Sequence, residues 1–219
     1  MHIGLIGGIG PAATVTYYSR LVKAFNAAGR PLELTISHAD ISTLAANATT
    51  NNRQAQAQVF ATHLAHLKGA GCDIGLVTAL TGHFCFDETQ QLSDLPLISG
   101  VEIIDTYCAK QGIEVLGLLG SPPVLATHLF GLLETPKTVV PENDVDELGR
   151  IYMQVATSGV CNDAQRTAFF EAGAAMVTHQ KAEAVLLAGT DLGLAFDEQS
   201  PGYAVIDAVD LHVAALLEL

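Results

Sequence analysis

Residues 3–14, IGLIGGIGPAAT, and residues 116–127, LGLLGSPPVLAT, spell one unit twice at an offset of 113: an apolar run, a glycine turn, then a proline-opened stretch that contains Ala-Thr. Each copy reads as a buried parallel strand turning sharply into a helix. A short Ile/Leu run bounded by glycine suits a strand covered on both faces, and proline in a first helical turn gives up no hydrogen bond. Working outward, residues 73–79 (DIGLVTA) and 183–189 (EAVLLAG) match more weakly at an offset of 110. Two similar offsets predict an α/β protein of two pseudo-symmetric parallel-sheet lobes. A ligand cleft is expected between them, at the carboxyl ends of the strands.

The same alternation runs through the whole chain. Strands are expected at His2–Ile6, Leu32–Ser37, Ile74–Thr78, Leu97–Ile98, Val115–Leu119, Thr138–Val140 and Ala184–Leu187. Helices are expected near Ala12–Ala27, Arg53–Gly69, Val101–Gln111, Leu125–Leu133, Val145–Thr157, Ala164–Gln180 and Tyr203–Leu217. No Ser/Gly linker divides the chain. The first lobe is expected to take residues 1–100 plus the C-terminal helix near 203–219, packed intimately against a second lobe of 101–202.

Composition narrows the function classes. Apolar residues make up 49% of the 219 and charged residues 15%, which excludes a disordered chain. Ten basic against 23 acidic residues leave a net charge of −13, which repels nucleic-acid phosphates and anionic membranes. The opening MHIGLIGGIGP has no basic leader and its apolar run is broken by glycines, so it reads as neither signal peptide nor membrane span. A cytoplasmic protein is expected. Cys72, Cys85, Cys108 and Cys161 lie far apart with no CxxC, the pattern of free thiols and not of a disulfide framework or zinc clip.

Several residues carry candidate chemistry. Gly8 and Gly10, after a strand and before a helix, fit a G-x-G-x-x-A dinucleotide turn formally. The ribose-binding acid expected about 20 positions later is missing, since Glu33 lies within a strand and Asp40 comes too late. The same helix start can bind a small carboxylate through its free N–H groups. Thr81-Gly82-His83 follows one strand end and Thr190-Asp191 follows its counterpart. His83 and Asp191 are the titratable groups placed for acid–base work, with Thr81, Thr190 and Ser121 as hydroxyl donors; the bland alternative makes the threonines helix caps and His83 a packed turn residue. Cys85, two residues past His83, is either a nucleophile or an inert buried thiol. His63 and His66, spaced i, i+3, suggest a metal pair with no third ligand, and no metal is expected. Arg53 follows the polar loop Asn47–Asn52, where a guanidinium can clamp a carboxylate.

Taken together, Ile6-Gly7-Gly8-Ile9-Gly10-Pro11 with Ala13-Thr14, Gly117-Leu118-Leu119-Gly120-Ser121, Ile151-Tyr152 with Gly159, residues 78–83 (TALTGH) and residues 188–191 (AGTD) resemble, in order, the motifs of the aspartate/glutamate racemase family. The resemblance covers nearly the whole chain. It implies a two-lobed fold, a cofactor-independent enzyme, a homodimer, and a small carboxylate substrate such as an acidic amino acid. Arg53 falls where these racemases grip the substrate's distal carboxylate, and Thr81, His83, Thr190 and Asp191 fall on family positions. The two cysteines that such racemases place on opposite faces of the substrate Cα fall here on Ala79 and Gly189. Neither a methyl group nor a hydrogen transfers a proton, so two-thiol racemisation is excluded, and a side chain restored at Gly189 is strained wherever that backbone is left-handed. Leu80 replaces an asparagine, and a lysine that some members carry shortly before the glycine at 159 is absent from Ala156-Thr157-Ser158. The expected function is therefore carboxylate binding with isomerase- or lyase-type proton transfer that uses no cysteine pair; the alternatives are an inactive metabolite-binding protein and, less favoured, a dinucleotide enzyme.

Overall fold

The computed structural model describes every residue except Ile9, Asp144 and Glu198. The chain forms two compact units, one of Met1–Gly100 with Val213–Leu219 and one of Val101–His212.

In the first unit, β1 (His2–Gly7), α1 (Pro11–Ala27), β2 (Glu33–His38), α2 (Ile41–Thr49), α3 (Arg53–Gly69), β3 (Ile74–Val77), a 3-10 turn Leu80–Cys85 and α4 (Phe86–Leu92) follow one another. The sheet runs β2-β1-β3, all parallel, with Ile3 opposite both Leu34 and Ile74. Ile3, Leu5 and Ile6 of β1 are buried on both faces together with Tyr17, Leu21 and Phe25 of α1 and Phe60, Leu64 and Leu67 of α3. Removing this apolar surface from water is what holds the layers together.

The chain leaves this unit through α5 (Gly100–Gln111). There follow β4 (Val115–Leu119), α6 (Pro122–Ala126), β5 (Lys137–Val139), α7 (Val145–Ser158), α8 (Asp163–Gln180), β6 (Ala184–Leu187), a 3-10 turn Thr190–Leu192, α9 (Gly193–Phe196), β7 (Val205–Asp207) and α10 (Ala208–Glu218). The second sheet is β5-β4-β6-β7, again all parallel. Its core joins Leu119, Val185 and Leu187 to Leu148, Tyr152 and Val155 of α7 and Phe169 and Met176 of α8.

The structure corrects four sequence expectations. Residues 203–212, expected as helix in the first lobe, contain the strand β7, which pairs beside β6 and lies in the second unit; three residues are too few to display a strand's alternation next to a helix. Leu97–Ile98 is a single bridge from Leu97 to Gly75, because Pro96 has no N–H for a ladder. The helix expected over Leu125–Leu133 ends at Ala126, since His128, Leu129 and Phe130 take left-handed backbones at φ 50°, 57° and 58°. The Asn/Thr-rich stretch before Arg53, read as a polar loop, carries α2, started by the Asp40 carboxylate accepting the Thr43 N–H at 2.8 Å. Asp40, too late in the chain for the ribose-binding acid of a dinucleotide turn, is a helix cap.

Candidate functional site

In the first unit the residues of interest gather where β1 and β3 end. Gly8 has φ 134°, a backbone that suits glycine, and a Cβ there would stand 2.2 Å from the Ala39 carbonyl oxygen. Gly10 caps α1 at φ 69° with no side-chain cap, while Ile9 between the two lies outside the described residues. Thr14 and Thr78 hydroxyls meet at 3.0 Å, and the Thr78 hydroxyl also donates to the Ile6 carbonyl at 3.0 Å, tying α1 to the ends of both strands.

Ala79 continues from β3 in extended backbone, φ −141° and ψ 128°, and starts the 3-10 turn. Thr81 is buried inside that turn and does not cap it. A Cβ on Gly82 would meet Val77 at 2.8 Å and Phe60 at 3.1 Å, so packing alone accounts for this glycine. His83 is 2% exposed, with both ring nitrogens engaged. Its Nε2 accepts the Gly100 N–H at 3.0 Å, and Nδ1, at 3.2 Å from the Ala79 carbonyl oxygen, donates to it. Burial pushes its pKa down to about 4, so the ring stays neutral near pH 7 and acts as a clasp between the turn and the start of α5. These contacts match the packed-turn alternative for His83 and leave neither nitrogen open to a substrate.

Cys85 is fully buried, its thiol donating weakly to the Gly82 carbonyl, and burial pushes it up to about 11; it is no thiolate nucleophile at neutral pH. Arg53 opens α3 and turns its fork onto Glu88 of α4, Nε to Oε1 at 2.5 Å and Nη2 to Oε2 at 3.0 Å. Those hydrogen bonds hold the Glu88 carboxyl below its usual range. The expected carboxylate clamp is therefore closed on a carboxylate of its own chain. His63 bonds Ser37 at 2.7 Å and meets His66 edge-on, and among the described residues no group of three or more His, Cys, Asp or Glu side chains is arranged to hold a metal.

In the second unit the corresponding turn follows β6. Gly189 starts it in extended backbone, φ −104° and ψ 112°, so the left-handed strain anticipated for a side chain there does not exist. The obstacle is packing: a Cβ on Gly189 would stand 2.3 Å from Cε2 of Tyr152 and 2.9 Å from its hydroxyl. Tyr152 comes from α7, within the buried row Leu148–Tyr152–Val155, and its hydroxyl donates to Oδ2 of Asp191 at 3.0 Å. Burial, and then the charge of Asp191, hold the phenol well above its ordinary value, so it keeps its proton. Asp191 and Thr190 are 2% and 3% exposed. Ser121 starts α6 without a capping bond and is also buried. Gly189 donates its N–H to the Leu119 carbonyl at 3.1 Å, which fixes the turn on the end of β4.

In the sequence Tyr152 stands only within the Ile151-Tyr152 motif, which assigns it no role. Its place in a core-facing helical row hides it, and only Gly189, 37 residues later, makes room for its ring.

Comparison with solved structures finds the same fold in an aspartate racemase homologue from Pyrococcus horikoshii OT3 (24% identity, TM-score 0.82, covering 99% of this chain and 97% of that one). Picrophilus torridus aspartate racemase is also similar (21%, 0.75, 100% and 94%), as is glutamate racemase from Francisella tularensis (12%, 0.65, 99% and 79%). Identities this low speak for the fold alone. No match is found among curated proteins. The family model described as Asp/Glu/Hydantoin racemase matches residues 6–216, and the chain belongs to that family.

Proposed function

We propose that this protein binds a small carboxylate, an acidic amino acid or a close relative, and acts on it by proton transfer that uses no pair of thiols, in the manner of an isomerase or lyase. What supports the reading is the pair of strand-end turns: each follows an extended residue, Ala79 or Gly189, and contains a buried threonine, and Ala79 and Gly189 are the residues that the sequence resemblance sets at the family's two cysteine positions. The Cα–H of an amino acid is a very weak acid, and one positioned base gives exchange at Cα without systematic inversion. Asp191 is assigned that base role. Thr190 and Ser121 supply hydrogen bonds to carboxylate or enediolate oxygens in the second unit, and Thr81 with the amides at Gly8 and Gly10 does so in the first, where the Gly82 N–H is already donated to the Ala79 carbonyl at 3.0 Å. His83 is reassigned from acid–base catalyst to a residue that positions its turn. No cofactor enters the proposal. A homodimer in the cytoplasm belongs to the same reading, and sedimentation equilibrium tests the dimer.

The experiment is incubation with L-aspartate and L-glutamate in D2O. Cα deuteration is followed by proton NMR and configuration by chiral chromatography. The expected outcome is deuteration that scales with protein and leaves the L-configuration in place. A second reading, a binding protein without turnover, is favoured by the Arg53–Glu88 pair and by the occupied His83 ring. It predicts a thermal shift with these ligands and no deuteration. Neither shift nor deuteration would remove the carboxylate reading altogether.

A further inference from the structure

At the turn after β6 stands a matched pair, Gly189 and Tyr152. Residue 189 has no side chain, and the space where one would stand is filled by the ring of Tyr152, whose Cε2 lies 2.3 Å from the ideal Cβ position. The fit is made by neighbours that leave the ring little freedom. Tyr152 is 6% exposed within a cluster that includes Leu119, Leu187 and Leu192, and a Cβ on Gly149, one turn earlier, would press on Pro122 at 2.9 Å. The ring's polar end reaches the Asp191 carboxylate.

We propose that Tyr152 determines the chemistry of this half-site: its ring stands in the place of a side chain at residue 189, and its hydroxyl holds Asp191, so that proton transfer here falls to the carboxylate. Tyr152 is a positioning residue in this scheme, since it acts through Asp191. Its ring also decides specificity, because it denies residue 189 any reacting group. The assignment of proton transfer to Asp191 rests on the function proposed above; the steric part does not.

Two sets of variants test it. Gly189→Cys in the otherwise unaltered protein should lower Tm by about 5 °C or more, since the buried ring must shift, whereas the same change made on Tyr152→Ala should cost nothing or raise Tm. In the double variant a disulfide reagent should titrate one thiol more than in Tyr152→Ala alone. Equal cost in both backgrounds would overturn the steric claim, and a Gly189→Cys chain too unstable to fold still leaves the comparison of Tyr152→Ala with the double variant to decide it.

Tyr152→Phe keeps the ring and removes the hydroxyl. It should slow Cα deuteration of L-aspartate at least about tenfold, through kcat and not KM, and displace the pH profile. Independently of activity, Asp191→Asn should bring the titration of one phenol down in ultraviolet difference absorbance. Unchanged rate and profile in Tyr152→Phe, or unchanged phenol titration in Asp191→Asn, would overturn the hold on Asp191. No deuteration by the unaltered protein would remove the proton-transfer function and leave both activity-independent measurements standing.

Discussion

The turn after β3 and the turn after β6 share an extended entry into a 3-10 turn and differ in how they are held. Both start from an extended residue at a strand end, Ala79 or Gly189, and enter a 3-10 turn, Leu80–Cys85 with Thr81 second or Thr190–Leu192 with Thr190 first. The first is held by an imidazole that bonds backbone at both nitrogens, 83 to 79 and 83 to 100. The second is held by a side-chain couple in which a helix sends in Tyr152 to meet Asp191. A repeat in the backbone thus leaves each turn to answer a different perturbation: acid should open the first, and added volume should open the second.

The largest expected effect is at His83. Its pKa in the fold is depressed from 6.5 to about 4. Its contribution to stability is therefore complete above the unfolded value near 6.5 and is lost as pH falls from there towards about 4, a loss of about 3 kcal/mol. Urea unfolding at neutral pH and near pH 4 should show this acid limb in the unaltered protein and lose most of it in His83→Gln. The glutamine keeps a carbonyl able to accept the Gly100 N–H but does not titrate. An equal acid limb in both proteins would show that the clasp is not what the first turn depends on.

The second turn is probed by a methyl group. Gly189→Ala should cost about 2 kcal/mol, the range of overpacking a tight interior, while Ala79→Gly at the matching position should cost about 1 kcal/mol or less. Chemical denaturation of the two single variants checks the asymmetry. Equal costs would mean that the ring of Tyr152 yields freely, and the contrast between the turns would then reduce to His83 alone.

How much of this contrast the sequence carries depends on the range of the contacts. The strand–glycine–helix unit at residues 3–14 and 116–127 is local: the first copy folds as read, and the second keeps its strand and turn but has its helix at Pro122–Ala126, ahead of the expected Leu125–Leu133. The extended entry at 79 and 189 follows from strand ends that local patterning also located. The couples that decide the chemistry are not local: Tyr152 meets Asp191 across 39 positions and Arg53 meets Glu88 across 35. Tyr152 falls in the i, i+4, i+7 row Leu148–Tyr152–Val155, which patterning can assign only to core. The missed strand β7 has the same cause, because its three residues are defined by the neighbour they pair with and not by their own order.

Backbone strain divides the units too. The second carries His128, Leu129 and Phe130 in succession in the left-handed region, where the first has Asn51 alone among described residues other than glycine. Asparagine tolerates that backbone; the other three do so less readily. His128 is exposed and its ring bonds Thr138 at 3.1 Å. His128→Gly should relieve more strain than the lost surface bond returns, raising stability by up to about 1 kcal/mol in thermal unfolding. A loss of stability would show that the ring's contact, and not the backbone, dominates there.

The smallest expected effect on stability bears most directly on ligand recognition in the first unit. Arg53 and Glu88 are 39% and 28% exposed, so solvent screens the pair, and a double-mutant cycle between Arg53→Ala and Glu88→Gln should return a coupling of about 0.5 kcal/mol despite its two-pronged geometry. The same cycle read by calorimetry with L-aspartate says more. A ligand carboxylate can use the guanidinium fork only by displacing Glu88, so Arg53→Ala should weaken binding by less than the roughly 1.5–3 kcal/mol of a full hydrogen bond to a charged group. Glu88→Gln removes the competing charge while keeping the side chain's length, and should tighten binding in the presence of Arg53 and leave it unchanged in its absence. Identical affinities in all four proteins would take Arg53 out of the binding site and leave it as a tie between α3 and α4, with recognition falling to the glycine and threonine donors at the strand ends.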